Sequence, residues 1–199
     1  MRNTIFSFFF LLSFTLLGQI PDGYYNTATG TGYTLKTQLY NIIKGHTDKG
    51  YNWTFFNAND RDYYYENDGK ILDIYSENPN GADPYNYTVA TDQCSGTYGG
   101  EGDCYNREHT VPQSWFNEGY PMKSDVHHLF ASDGYVNGRR GNYPFGEVGS
   151  ATWTSQNGSK LGSARSGLGY SGTVFEPINE FKGDLARVYF YMATRYQNV

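Results

Sequence analysis

Arg2 is followed by an apolar run from Ile5 to Leu17, and the remainder of the 199 residues is polar in character. The run has 13 residues, whereas a membrane-spanning helix needs roughly 20. A short positive start, a short apolar stretch and the small residue Gly18 form the pattern of a cleaved secretory leader over residues 1–18, rather than an anchor. Removing the leader leaves residues 19–199, enough for one domain with one sizeable core. Export also places that domain in an oxidising compartment, with no stable membrane association. Cys94 and Cys104 are its two cysteines, and there a disulfide between them is the default. A metal site is the rival use, but two cysteines do not build a four-cysteine zinc site.

The 24 glycines and 20 tyrosines suit a loop-rich exported domain. Thr34 is expected to cap a short helix carrying Leu35, Leu39, Ile42 and Ile43 on one stripe and ending at Gly45. Residues 63–75 alternate around Asn67-Asp68-Gly69 and read as a hairpin. Residues 76–104 and 150–172, rich in Gly, Ser, Asn and Pro, read as loops. Over 183–197, Leu185, Val188, Tyr189, Met192 and Tyr196 fall on one helical stripe. The sequence stops soon after it, at Val199, which suggests a cut inside a longer protein.

The formal charge of −5 opposes a polyanionic partner unless basic residues cluster on one face. Arg107, Lys123, Arg139, Arg140, Lys160, Arg165, Lys182 and Arg187 are the candidates for such a cluster. Three of the four histidines, His109, His127 and His128, lie within 20 residues of one another. Glu108, Asp125, Asp133 and Asn137 accompany them. Taken together, these residues offer a neutral imidazole to take a proton from water, oxygen ligands for a hard cation, and arginines to hold phosphate. The oxygen donors favour Mg2+, with Ca2+ or Mn2+ as substitutes. A zinc site would use His109, His127 and His128, yet adjacent side chains of a regular strand face opposite ways. Each piece alone also has an ordinary reading. Asn137-Gly138 is a turn signal, Arg139-Arg140 a solvated turn, and Trp115 and Phe116 core residues.

The stretch 104–148 closely resembles the bacterial endonuclease I family of secreted non-specific nucleases. REHTVPQSWF (107–116) looks like its Glu-His-x-Val-Pro signature, and SDVHHL (124–129) like its Asp-x-His element. GYVNGRRGNYPF (134–145) looks like its Val-Asn-Gly-x-Arg-x-Asn-Phe element. The likeness extends upstream through ILDIYS (71–76) and downstream to GDLARVYFYMATRYQ (183–197). It implies an α+β fold with a ββα-metal (His-Me finger) core, flanking helices and long loops. It further implies a monomeric endonuclease that cuts DNA, and potentially RNA, without sequence preference, leaving 5′-phosphate ends. On that basis His109 is the general base, and Glu108 and Asn137 are the metal ligands. Asp125, His127, His128 and Asn142 would stand behind them, orienting His109 or the metal waters.

Two departures matter. Better-known members insert a loop whose arginine contacts the phosphate, and here only NEGYP separates Phe116 from Met122. Arg140, with Arg139 and Arg107, is therefore expected to take that contact. Lys123 also stands where relatives have a carboxylate. The competing readings are a secreted carbohydrate- or surface-polymer-binding module, supported by Tyr, Trp and Asn in loops, and a nuclease-derived domain that has lost activity.

Overall fold

The computed structural model describes residues 20–198. The leader assigned to residues 1–18 lies outside them. Four α-helices and five strands make a mixed α+β chain: α1 Gly32–Ile43, α2 Trp53–Asn59, β1 Tyr105–His109, β2 Leu129–Asp133, α3 Gly134–Arg140, β3 Val148–Thr154, β4 Lys160–Ala164, β5 Thr173–Glu176 and α4 Asn179–Arg195. Among the described residues, no helix is long and apolar enough to cross a membrane.

Two small antiparallel sheets organise the chain. In the first, β1 pairs with β2 from Tyr105↔Asp133 to His109↔Leu129. In the second, β4 runs between β3 and β5. The chain passes from β2 directly into α3, where Asp133 caps the helix by accepting from the Val136 N–H at 2.7 Å. The disulfide Cys94–Cys104 forms as expected. It packs against the same junction: a Cβ at Gly134 would stand 2.7 Å from the Cys94 sulfur, so only glycine fits there. The α4 stripe docks as its periodicity predicts, with Leu185, Val188, Met192 and Tyr196 buried. Val188, Met192 and Tyr196 pack with Val111, while Leu185 joins Ile74, Tyr75, Val136, Phe175 and Phe181.

Four expectations change. The first helix begins at Gly32 with Thr31, not Thr34, at its cap, and its apolar stripe is only half-buried. Residues 63–75 form no hairpin. They hold one isolated bridge, Arg61↔Ile71, because the Asp62 carboxylate takes the N–H groups of Tyr64, Tyr65, Glu66 and Asn67. A side chain that satisfies four successive amides removes the donors a ladder would need. Residues 150–172 are not loop throughout: β3 continues to Thr154 and β4 spans Lys160–Ala164, with turns between and after them. Gly162 is not a turn residue there; it admits the β3 backbone, whose Ser150 oxygen would lie 2.1 Å from a Cβ. Finally, Trp115 is 53% exposed rather than core, whereas Phe116, half-buried, packs against the Val111, Val188, Met192 and Tyr196 cluster as expected.

Candidate active site

Glu108 and His109 occupy the last two positions of β1, whose other edge is bridged at Tyr105 by Gln93. Their neighbours in the strand, alternating faces, cannot share one flat surface. A cavity of about 100 Å³ nevertheless reaches both side chains. It is lined by Glu108, His109, Asn137 and Arg140, together with Arg107, Gln113 and Asn142. The helix α3 closes that other edge of β1. Asn137 Nδ2 donates to the Arg107 carbonyl at 3.4 Å, and Arg140 donates to the His109 carbonyl at 2.9 Å. Larger cavities exist, but the one of about 290 Å³ beside Phe145, Leu185 and Tyr189 is apolar, and its lysine, Lys182, is paired with Glu176.

His109 is 5% exposed. One ring nitrogen, Nε2, lies 3.0 Å from the Lys123 carbonyl. A carbonyl can only accept, so Nε2 carries the proton and Nδ1 holds the free lone pair. Burial pushes the imidazole down to about 4, and the charges of His128, Lys123 and Arg107 act in the same direction, against the Lys123 hydrogen bond. The ring is therefore neutral at ordinary pH and able to take a proton.

Glu108 is buried and anchored. Its Oε1 accepts the Tyr75 hydroxyl at 2.6 Å and lies 2.9 Å from Arg140 Nη1. Burial pushes its carboxyl up, while the Arg140 guanidinium and the Tyr75 hydroxyl pull it back. Both contacts engage one oxygen, and among the described residues no hydrogen bond engages Oε2. Asn137 Nδ2 donates to Asn106 Oδ1 at 2.7 Å, which turns its amide oxygen the other way. Gln113 Oε1 is buried without a donor on the same cavity wall. Among the described residues these three oxygens have no protein donors, and such a set suits a hard divalent cation that keeps several waters. Zinc is the poorer fit. His127 stacks on Tyr191 at 4.6 Å and His128 Nε2 faces the Met122 carbonyl at 2.7 Å, so the histidines do not converge on one point.

The supporting residues divide into two groups. His128 is fully buried and packs edge-on against the His109 ring at 5.3 Å. Asp125 and His127 turn elsewhere: Asp125 accepts the Tyr191 and Tyr196 hydroxyls at 2.8 and 2.7 Å, fastening α4 to the 126–128 turn. Asn142 is exposed at the cavity rim.

The arginines also separate. Arg140 is 1% exposed and is engaged by Glu108 and the carbonyls of His109 and Thr110. Arg139 is exposed, donates to the Tyr135 hydroxyl and lies off the cavity. Arg107 lines it, with its guanidinium 3.7 Å from the Tyr51 ring centroid and 4.5 Å from that of Trp53. The expected basic cluster is largely neutralised. Lys123, Arg165, Lys182 and Arg187 pair with Glu118, Glu147, Glu176 and Asp184. Among the described residues, Arg107, Arg139 and Lys160 have no carboxylate partner.

Two contributors escape sequence inspection: Tyr75, which lies 33 residues before Glu108, and the Lys123 backbone carbonyl. Only the likeness through ILDIYS pointed near the first, and a carbonyl has no side-chain signature. Tyr75→Phe is expected to lower stability by roughly 1.5–3 kcal/mol, the range for a hydrogen bond to a charged group. Urea unfolding with an unchanged m-value would measure it.

The family model described as Endonuclease I matches residues 31–199. An extracellular ribonuclease of Bacillus amyloliquefaciens is 35% identical over 181 residues, covering 88% of this chain and 54% of the relative. An extracellular ribonuclease of Bacillus subtilis is 34% identical over 186 residues, with the same coverage of 88% and 54%. An Endonuclease-1 of Buchnera aphidicola is 28% identical over 75 residues, covering 38% of this chain and 28% of the relative. The chain thus spans about half the length of the two Bacillus proteins.

Proposed function

The chain belongs to the Endonuclease I family, and from that premise we propose that it is a secreted, divalent-metal-dependent endonuclease that hydrolyses nucleic-acid phosphodiesters without sequence preference. The observation that carries this reading is the fixed tautomer of His109 on the same cavity as the open oxygens of Glu108 and Asn137. The succession β1–β2–α3 supports treating the core as a ββα-metal unit. The word "extracellular" in the names of the Bacillus relatives supports export, and their activity brings RNA in beside DNA.

His109 Nδ1 takes a proton from a water, which attacks phosphorus on the side opposite the 3′ oxygen. The Lys123 carbonyl holds the ring through Nε2 while the charge develops. Glu108 and Asn137 would hold a Mg2+ ion, with Ca2+ or Mn2+ as substitutes, and Gln113 and Asn142, which line the same cavity, would be available to its waters. When bound, such an ion supplies positive charge for the phosphoryl oxygens and the departing 3′ oxygen. Arg107, stacked and free of any carboxylate, holds the phosphate. Arg140 keeps the Glu108 carboxylate in place. The products carry 5′-phosphate and 3′-hydroxyl ends. The roles given to His109, Glu108, Asn137 and Arg107 address water, a cation and phosphate, which favours cleavage without base readout.

Purified protein incubated with supercoiled plasmid or a structured RNA in Mg2+ is expected to cut both, and EDTA is expected to stop it. No cleavage of either substrate would overturn the proposal. Ends that can be ligated without prior phosphorylation would support the assigned polarity.

A further inference from the structure

A second carboxylate cluster lies away from the active-site cavity. Ligand oxygens of Asp62, Glu66 and Glu77 all come within 4.8 Å of one another. Asp62 and Glu77 are buried, at 3% and 1% exposure, and Glu66 is exposed. Acidic clusters are common, so proximity alone means little. The distinguishing feature is Glu77 Oε1, which is fully buried and has no hydrogen-bond donor. Among the described residues, no lysine or arginine pairs with any of the three. An ionised oxygen in that position is costly unless a proton or a cation meets it.

We propose that Asp62, Glu66 and Glu77 form a structural Ca2+ site, separate from the active-site metal, that ties the 62–67 loop to the 73–77 segment. The donor set decides the class of ion. It contains only carboxylate oxygens and no histidine or cysteine, which excludes a zinc preference. The three carboxylates come from irregular backbone outside the named helices and strands, and Ca2+ tolerates the variable coordination of such a setting better than Mg2+, which demands near-ideal octahedral geometry. The two Asp62 oxygens are already held by four backbone N–H groups, so Asp62 supplies mainly charge. Glu66 and Glu77 supply the open oxygens, and waters complete the shell. Burial and the charges of Asp83, Glu66, Asp62 and Asp73 push the Glu77 carboxyl up to about 8, as expected of a site that lacks a positive charge.

The location gives the ion a purpose. Glu77 lies two residues beyond Tyr75, whose hydroxyl holds Glu108. Just before them, Asp73 accepts the Tyr75 N–H at 2.8 Å and the Asp133 N–H at 2.8 Å. A cation at Glu77 therefore braces the segment that positions the Glu108 carboxylate. The site does not depend on the nuclease reading and can be tested without substrate.

The test is calcium titration of the Asn137→Ala protein by calorimetry, with thermal unfolding followed in parallel. Asn137→Ala disables the active-site ligand set and leaves the second cluster intact. Binding of one Ca2+ per chain, with a rise in Tm, is the expected result. Adding Glu66→Gln, an exposed change that leaves the core untouched, should weaken binding about tenfold or more, since ligand charge sets Ca2+ affinity. Glu77→Gln should do the same. No binding up to about 10 mM Ca2+, above the range of extracellular modules, would overturn the site in favour of shared protons. Affinity unchanged by Glu66→Gln would overturn it as well.

Discussion

His109→Ala lowers the rate of plasmid cleavage by about 10²–10⁴-fold, the usual contribution of a positioned general base. The loss should fall on kcat, because the imidazole acts on the attacking water and not on substrate held in the ground state. Three observations specify this outcome. The ring lines the cavity, its Nε2 is fixed by the Lys123 carbonyl, and its buried setting keeps it neutral. The fold should persist. Removing the ring opens space between Tyr51 and His128, whose rings lie 5.3 Å from it, but breaks no ion pair. Circular dichroism and Tm measured alongside the kinetics separate loss of chemistry from loss of structure. A variant that still cleaves at the wild-type rate in Mg2+ would remove His109 from the mechanism. A variant whose KM rises while kcat holds would make it a binding residue instead.

The parts of this site that could be read in advance share a physical property. Glu108, His109 and Asn137 line the cavity with their own functional groups, which a sequence displays directly. They also lie within 30 residues, on β1 and on the α3 helix that follows its partner strand β2, so one strand pairing brings them near one another. The parts that were not legible reach the site through tertiary contact or through the backbone. Tyr75 arrives from a loop far upstream, and its aromatic body is indistinguishable by composition from any core tyrosine. The tautomer of His109 is set by a carbonyl, which every residue has. The fold shows the same division. The stripe of α4 was legible because burial imposes a period of 3.6 on side chains. The strands β3 and β4 were hidden because their faces are mostly exposed, which removes the apolar alternation, and because Gly162 serves strand approach rather than a turn. The loop at 63–69 reverses that error. Its aromatic residues suggested strands, but one carboxylate, Asp62, organises the backbone around itself.

Arg140 is where chain order and three-dimensional setting point to different roles, and its replacement distinguishes them. Sequence position suggests a phosphate-binding arginine. Its burial and its bonds to Glu108 and to the carbonyls of His109 and Thr110 make it the brace of β1. Arg140→Ala is therefore expected to destabilise the protein by about 3–5 kcal/mol, because it strands a buried carboxylate and frees two carbonyls. For a chain of this size that is a drop in Tm of roughly 2–4 °C for each kcal/mol. Activity falls too, but as a consequence of a displaced Glu108. Arg140→Lys should recover little, since a point charge on a flexible stem cannot reach three acceptors in the geometry of a planar fork. The decisive comparison is Arg140→Leu combined with Glu108→Leu. Removing both charges abolishes the buried ion and restores much of the stability, as apolar replacement of whole buried pairs does, while the protein stays inactive for want of the Glu108 ligand. A phosphate-binding role predicts the opposite pattern: a wild-type Tm for Arg140→Ala, a raised KM and a shallower dependence of binding on salt. In that pattern Arg107→Ala would leave the salt dependence untouched. If Arg140 is the brace, Arg107→Ala flattens it, because Arg107 is the cavity arginine without a carboxylate of its own.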